Sequence, residues 1–253
     1  MATNDFKELG PVIGLIPAKR GSVRLPEKNI RLLAGKPLLG WTVDAARASG
    51  VMDRIIVSTE DELVAKVARE CGAEVPFLRP LELARDPAGV VQVALHALQA
   101  MRELGANFKT LIILLPTCPF RTGEDIQAAL KLFQEKNGKF LMSVGPYPHP
   151  PFAAMELKDD GLLRPFFPQF ISKRSQQVAQ AWRANGALHI LDIAAFEREK
   201  SYYAEPLIGY PMTREKSTDI DSADDWLEAE FRLDQLKKAK LAGLVTLKDQ
   251  SLK

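Results

Sequence analysis

Short apolar runs alternate with amphipathic segments along most of this 253-residue chain. Such alternation is typical of a mainly parallel sheet whose strands are covered by helices on both faces. The sequence predicts strands at 12–17, 54–58, 75–77, 110–115, 140–145, 187–191 and 207–210. It predicts helices near 38–49, 60–71, 88–104, 123–136 and 222–242. The fold class expected from this pattern is therefore α/β.

The pattern changes after residue 145, where prolines crowd the segment Gly145–Phe152. Proline lacks an N–H donor and fixes φ, so this segment cannot be a central strand or a helix. Further on, Asp160-Gly161 separates the alternating runs 152–157 and 162–167, which predicts a hairpin. We therefore expect one domain made of residues 1–145 and 185–253, with residues 146–184 inserted into it. The insertion has more aromatic side chains than a hairpin buries alone, so it must pack against its own domain or another chain.

The loop after the first strand is rich in positive charge. Its cations are Lys19, Arg20, Arg24, Lys28, Arg31 and Lys36. Gly21 and Ser22 would let backbone N–H groups approach phosphate oxygens, while the cations neutralise phosphate charge. The loop matches neither the P-loop nor the glycine pattern of dinucleotide sites. It indicates a site for a polyanion such as a nucleoside triphosphate, with a solvated basic surface loop as the alternative.

Two aspartates, Asp219 and Asp221, flank Ile220 just before a predicted helix. In an extended stretch, residues two apart point to the same side. Two carboxylates beside a triphosphate would suit Mg²⁺, which takes oxygen ligands and shares phosphate oxygens with the protein. The alternative is that Asp221 or Ser222 caps the following helix.

Composition limits the partners that we expect. The formal net charge of +2 is too small to indicate a nucleic acid or a membrane surface as a partner. No apolar run of about 18 residues is present, so no membrane span is expected. Cys71 and Cys118 stand apart, as reduced thiols do in intracellular proteins, and the three histidines show no zinc spacing. We therefore expect a cytoplasmic protein.

Six blocks of sequence, in order, resemble the cytidylyltransferases that activate nine-carbon acidic sugars. These are the CMP-N-acetylneuraminate synthetases and their legionaminate and pseudaminate relatives. The blocks are Ile16–Ile30 with Gly35-Lys36-Pro37, Val57–Glu60, Glu74–Pro80, Pro116–Arg121, Asn185–Ile190 and Ser217–Asp221. The resemblance implies a three-layer, Rossmann-like nucleotidyltransferase fold with a mainly parallel mixed sheet. It also implies that residues 146–184 form a small dimerisation subdomain and line the sugar pocket of a homodimer.

The reaction that the resemblance implies joins CTP and a nonulosonic acid to give the CMP-sugar and pyrophosphate, with Mg²⁺ on Asp219 and Asp221. The implied catalytic residues are Arg20, Arg24, Lys28 and Asp219. The implied nucleotide-binding residues are Lys19, Gly21, Ser22, Asn29, Arg79 and Asn185. The implied substrate-binding residues are Thr117, Arg121, Arg174 and Arg183. No histidine or other residue stands out as a general base.

This chain departs from the family pattern at several positions. Val23 replaces a common lysine, Leu115 a glutamine, Cys118 a serine and Phe152 a lysine, and no cytosine-binding serine follows Asp86. The changed glutamine and lysine favour a bacterial 5,7-diamino sugar over N-acetylneuraminate. A Kdo cytidylyltransferase and a non-catalytic nucleotide- or sugar-phosphate-binding protein on the same fold are the alternatives. A nucleic-acid-binding domain fits poorly, because aromatics do not interleave with the basic residues.

Overall fold

The computed structural model describes residues 9–22, 24–147, 149 and 151–241. The Val23 departure thus lies outside the described residues. The strands are β1 (Val12–Pro17), β2 (Leu32–Leu33), β3 (Lys36–Pro37), β4 (Arg54–Ser58), β5 (Thr110–Ile113), β6 (Phe140–Pro146), β7 (Met155–Leu157), β8 (Leu163–Pro165), β9 (Trp182–Asp192) and β10 (Leu207–Pro211). The helices are α1 (Leu38–Ser49), α2 (Glu62–Glu70), α3 (Val90–Glu103), α4 (Gly123–Glu135), α5 (Ile193–Glu199) and α6 (Ala223–Leu241).

Six strands form the main sheet, in the order β10-β6-β9-β5-β1-β4. β1 runs parallel to β4 and β5, and β6 runs parallel to β10. Only β9 runs the other way, antiparallel to both β5 and β6. The mainly parallel mixed sheet expected from the sequence is therefore confirmed.

Helices cover both faces of this sheet because its strands are apolar on both sides. Helices α1, α2 and α4 pack on one face, where Val43, Val64 and Leu130 join the same core as Ile112. Helices α3 and α5 pack on the other face, around Ile113. Helix α6 packs through Trp226 in a third cluster with residues of α1 and β2. The result is the three-layer α/β architecture that the sequence predicts.

Local signals in the sequence set the ends of these helices. The Asp61 carboxylate caps α2 by accepting hydrogen bonds from the backbone N–H groups of Leu63 and Val64 at 2.9 and 3.0 Å. Gly50 ends α1 with φ at 62°, a left-handed conformation that glycine adopts without strain. Such signals explain why the predicted helix positions are confirmed to within a few residues.

The structure differs from the sequence-based expectation in several places: the two-residue strands β2 and β3 were not predicted, and β9 begins at Trp182, five residues before the predicted strand 187–191. Residues 75–77 are not a strand; a single bridge joins Glu74 to Ile56, and the chain then leaves the sheet towards Arg79. Helix α5 was not predicted, because its short apolar stretch directly continues β9. The predicted hairpin is confirmed, since β7 and β8 pair antiparallel. Within the described ranges, no helix is both long and apolar enough to cross a membrane.

Candidate functional site

A cleft of about 500 Å³ opens at the edge of the sheet where β1, β4 and β5 end. Because these strands are parallel, the segments that follow them meet at one edge, where open α/β sheets hold their ligands. We call it the main cleft. Nine residues predicted to form a site line it: Lys19, Ser22, Arg24, Lys28, Asn29, Arg79, Thr117, Asp219 and Asp221. The structure thus brings together residues that lie as much as 200 positions apart in the chain.

Two cations of the basic loop reach the second aspartate. The Lys28 amine is buried and donates to the Ile220 carbonyl at 2.7 Å and to Asp221 Oδ1 at 2.8 Å. Arg24 Nη2 donates to Asp221 Oδ2 at 2.7 Å. Burial alone would raise the pKa of the Asp221 carboxyl, but the Lys28 and Arg24 contacts hold that pKa below its ordinary value. Asp221 is therefore a fully ionised group that two cations compensate.

The environment of Asp219 is different. Among the described residues it forms no ion pair; its side chain receives a hydrogen bond from Thr117, and the Cys118 sulfur lies 4.0 Å from its Oδ1. Burial raises the pKa of its carboxyl above the ordinary value. Both aspartates thus line the main cleft, and within the described part of the chain Asp221 has ion-pair partners whereas Asp219 has none. A cation bound beside Asp219 would supply the missing compensation.

A hydrogen bond inside the loop that carries the cations determines the conformation of that loop. Asn29 is buried, and its Nδ2 donates to the Lys19 carbonyl at 2.7 Å, closing the loop across ten residues. Leu25 anchors the loop in the core that contains Trp226. Asn29 therefore fixes the backbone from which Lys19 and Ser22 face the cleft.

Arg79 lines the main cleft and forms a buried ion pair. Its Nη2 donates to Glu60 Oε2 at 2.7 Å, and the two side chains are 2% and 8% exposed. The sequence analysis did not single out Glu60. Its place directly after β4, at the edge of the sheet that holds the cleft, could have indicated it.

Replacing Glu60 with glutamine should destabilise the protein strongly. It leaves the Arg79 charge buried without a partner, which costs about 3 kcal/mol or more of unfolding free energy. The matched control is Glu74→Gln, which breaks an ion pair with Arg54 whose side chains are 33% and 46% exposed. Such exposed pairs contribute about 1 kcal/mol or less. Urea denaturation measures both, and equal losses for the two variants would contradict the assignment.

Arg20 and Gly21 do not line the main cleft; they line a neighbouring pocket with Glu60 and Asp61. Arg20 Nη1 lies 3.0 Å from Asp61 Oδ2, and Nη2 lies 2.9 Å from Glu27 Oε1. Two carboxylates of the chain itself therefore hold this guanidinium, which was expected to neutralise phosphate.

Arg121 and Asn185 are buried behind the cleft. Arg121 donates to the carbonyls of Leu115 and Ala187 and, at 2.7 Å, to Thr42 Oγ1. Burial lowers the pKa of Arg121 to about 10, so it stays charged at neutral pH. In this position it supports the loop after β5 and does not face the cleft.

Arg174 and Arg183 are exposed and lie outside the lining of the main cleft. Arg183 is the second residue of β9, and Arg174 lies in the segment between β8 and β9. The structure does not bring either of them together with the cations of the basic loop.

The main cleft also has lining residues that the sequence analysis did not assign. The start of α3 faces it through Gly89 and Val90, close to the position where the family serine is missing. Leu115, which replaces the family glutamine, lines the cleft, whereas Cys118 is buried and donates its thiol hydrogen to the Asn185 carbonyl at 3.2 Å. Burial raises the pKa of the Cys118 thiol to about 12, so it is protonated and not a nucleophile.

The chain is similar to several known proteins. The family model described as "Cytidylyltransferase" matches residues 13–147. The CMP-N,N'-diacetyllegionaminic acid synthase of Legionella pneumophila is 34% identical over 85% of this chain and 93% of that protein. The pseudaminic acid cytidylyltransferase of Campylobacter jejuni is 28% identical over 83% of this chain and 91% of that protein. The N-acylneuraminate cytidylyltransferase of Escherichia coli is 32% identical over 85% of this chain, but over only 50% of its own length.

Two solved structures share the fold at low sequence identity. The CMP:2-keto-3-deoxy-manno-octonic acid synthetase complexed with CTP has a TM-score of 0.66 at 13% identity, covering 90% of this chain and all of that chain. The 4-diphosphocytidyl-2C-methyl-D-erythritol synthase of Anaerococcus prevotii has a TM-score of 0.64 at 12% identity, covering 92% of this chain and all of that chain. These likenesses confirm the Rossmann-like nucleotidyltransferase fold. Together with the family match and the Legionella relative, they show that this chain belongs to the cytidylyltransferase family.

Proposed function

We propose that this protein transfers a cytidylyl group from CTP to a nonulosonic acid. The 2-hydroxyl oxygen of the sugar attacks the α-phosphorus, the bond from that phosphorus to the β-phosphate oxygen breaks, and pyrophosphate leaves. The hydroxyl proton passes to solvent or to a base that we do not assign. The observation that carries the proposal is the main cleft, in which cations and two carboxylates meet at the carboxyl edge of a cytidylyltransferase fold. Three relatives named for nonulosonic acids support the choice of acceptor.

The cations of the main cleft fit the charge of a triphosphate. Lys19, Arg24 and Lys28 all line the cleft, where they would neutralise the β and γ phosphates and the departing pyrophosphate. Backbone N–H groups at Ser22, and at the start of α3, would bind phosphate or base oxygens. Arg79 and Asn29 would hold the nucleoside end. Among the described residues, Arg24 pairs only with Asp221, and its side chain is exposed. It can therefore reorient towards a phosphate at a small cost in free energy.

Asp219 and Asp221 fit a magnesium ion. They offer carboxylate oxygens on one side of the cleft, and Asp219 lacks a compensating charge among the described residues. No third His, Cys, Asp or Glu joins them in the described ranges, so phosphate oxygens and water would complete the coordination, as is usual for Mg²⁺. When bound, Mg²⁺ would supply Lewis-acid polarisation of the phosphate and lower the pKa of the attacking hydroxyl.

Pyrophosphate release with CTP and Mg²⁺ tests the proposal against a panel of legionaminate, pseudaminate, N-acetylneuraminate and Kdo. We expect turnover with a 5,7-diamino sugar, because the cleft presents Leu115 where the family glutamine would be polar. Turnover only with Kdo would replace the nine-carbon acceptor by an eight-carbon one. CTP binding without turnover on any acceptor would indicate a non-catalytic nucleotide-binding protein.

Since CTP is an intracellular nucleotide, we propose that the reaction takes place in the cytoplasm.

We further propose that residues 146–184 form a dimerisation subdomain. Exposed apolar side chains gather there, among them Leu162 at 67%, Phe166 at 60% and Trp182 at 48%. Apolar surface of this kind marks an interface more often than free surface. A second copy of the chain would cover it and bring the insertion close to the sugar end of the cleft.

The double substitution Phe166→Glu and Trp182→Glu should convert a dimer to a monomer. Two charges in an apolar interface stay unpaired on association, which opposes it by several kcal/mol. Light scattering after size-exclusion chromatography measures the mass. The control is Leu227→Glu, which places a charge at a residue of α6 that is 63% exposed. A wild-type monomer, or an unchanged dimer in the double variant, would contradict the proposal.

A further inference from the structure

Asn185 is buried, and all four hydrogen-bonding positions of its amide are used within the protein. Its Oδ1 accepts from Ser143 Oγ at 2.5 Å and from the Ala187 backbone N–H at 3.2 Å. Its Nδ2 donates to Ser217 Oγ at 3.0 Å and to Met212 Sδ at 3.4 Å. A primary amide has two donors and two acceptor positions. This side chain therefore has no free group for a nucleotide or a sugar.

The bond to Ser217 connects Asn185 to the catalytic aspartates. Ser217 is buried and lies two residues before Asp219. Its hydroxyl accepts from Asn185 and donates to the Thr213 carbonyl at 2.8 Å, which closes the turn that leads to Asp219. Gly145 on β6 lies directly behind, since a Cβ there would lie 2.6 Å from Ser217 Oγ. Ser217 is thus fixed by one hydrogen bond on each side and by direct packing against the sheet.

The backbone at Asn185 also touches the site. Gly186 has φ at 72°, and a Cβ there would lie 3.8 Å from Asp219 Oδ2 and 3.1 Å from Leu115 Cδ1. The Asn185 carbonyl accepts the Cys118 thiol hydrogen, and on the other side of Asp219 the Ile220 N–H donates to the Thr117 carbonyl at 2.8 Å. The segment before Asp219 is therefore held by Asn185 and the segment after it by the loop that follows β5.

We propose that Asn185 is a positioning residue that holds Asp219 in place through Ser217. It touches no substrate; it sets where the carboxylate without an ion-pair partner lies relative to Asp221. This rests on the proposed function for the role of the two aspartates. Residues that orient the ligands of a metal typically change metal affinity or activity by about 10-fold to 100-fold when they are replaced.

Ser217→Ala tests the connection by removing a single hydroxyl. The first readout needs no sugar: calorimetry compares the affinity for CTP in Mg²⁺ with that in EDTA. We expect the gain that Mg²⁺ gives to CTP binding to fall about 10-fold, while CTP affinity in EDTA changes less than about 2-fold. With a sugar acceptor, we expect kcat to fall about 10-fold or more, with the KM for the sugar unchanged. Ser217→Cys, which keeps a weak donor and acceptor, should recover part of both losses.

Ser49→Ala is the matched control, because Ser49 is also a buried serine whose hydroxyl donates to a backbone carbonyl, that of Ala46 at 2.6 Å. We expect it to lower the Tm as Ser217→Ala does, without changing the Mg²⁺ effect or kcat. Equal kinetics for the two variants would mean that Ser217 is merely structural, which would overturn the proposal. Weaker CTP binding in EDTA would overturn it as well, because it would show that Asn185 and Ser217 act on the nucleotide directly.

The two proposals fail in distinguishable ways. Wild-type protein that binds CTP more tightly in Mg²⁺ but releases no pyrophosphate with any sugar would refute the proposed reaction, while the binding comparison would still test the connection from Asn185 through Ser217. Wild-type protein whose CTP affinity does not respond to Mg²⁺ would overturn the positioning role itself, since Asp219 would then hold no metal.

Discussion

Replacing Asp219 with asparagine should reduce kcat for pyrophosphate release by about 10³-fold, the scale seen when one preorganised electrostatic contact to a transition state is lost. Asparagine has nearly the same shape and can still accept a hydrogen bond from Thr117, so the change removes mainly the negative charge. Steady-state kinetics over a range of Mg²⁺ concentrations measures the effect. If kcat falls by less than about 10-fold at saturating Mg²⁺, Asp219 is not a catalytic residue.

The loss of activity should not come from unfolding. Burial raises the pKa of Asp219, so its ionised form opposes folding at neutral pH. The variant should therefore have a Tm equal to or above that of the wild type, a trade of stability for function that is common at active sites. Asp224→Asn is the control, because Asp224 is an exposed aspartate in the first turn of α6. It should leave kcat unchanged.

The second large effect is expected at Lys28. Lys28→Met keeps most of the side-chain volume but removes the cation that donates to the Ile220 carbonyl and Asp221. We expect kcat to fall by about 10²-fold to 10³-fold, because a fixed cation that would neutralise the departing pyrophosphate is lost. CTP affinity should fall as well, by about 10-fold, because the ground state also loses a charge contact.

Lys36→Met is the matched control for Lys28. Lys36 pairs with Asp44 and lies 4.6 Å above the Trp41 ring, away from the residues that line the main cleft. Its loss should change the unfolding free energy by about 1 kcal/mol or less and leave kcat unchanged. Activity losses of equal size in the two variants would show that a general loss of positive charge, and not the position of Lys28, is responsible.

The sequence alone predicts much of the fold, because its strongest signals are local. The apolar run 110–115 and the glycine after α1 report on hydrogen bonding and backbone conformation within a few residues. Residues 75–77 show the limit of such signals. Their apolar character predicts a strand. A strand also needs a neighbouring strand to pair with, and the chain turns away from β4 after the single bridge at Glu74.

Residue types in the candidate site were also predictable, but their hydrogen-bond partners were not. Arg20 and Arg24 look equivalent in the sequence, yet Arg20 meets Asp61, an acid 41 positions away, and only Arg24 lines the main cleft. Arg121 belongs to the same motif as the cleft residue Thr117, and Asn185 was expected to bind the nucleotide. Their polar groups are instead used inside the protein, a fact that only the folded arrangement reveals.

β9, the strand that runs antiparallel to its neighbours in the six-stranded sheet, links the protein surface to the candidate site. It pairs with β6 from its first residue, the exposed Trp182, becomes buried at Asn185, and ends at the half-buried Asp192. At about 3.3 Å per residue, roughly 10 Å of strand backbone joins the exposed Trp182 to Asn185, whose neighbour Gly186 lies beside Asp219. A displacement of the exposed end of β9 would therefore be passed along continuous strand backbone to the residues that neighbour Asp219. A substitution at Trp182 or Arg183 is therefore expected to disturb the backbone beside Asp219 more than a substitution in the β7–β8 hairpin, which shares no strand with Asn185.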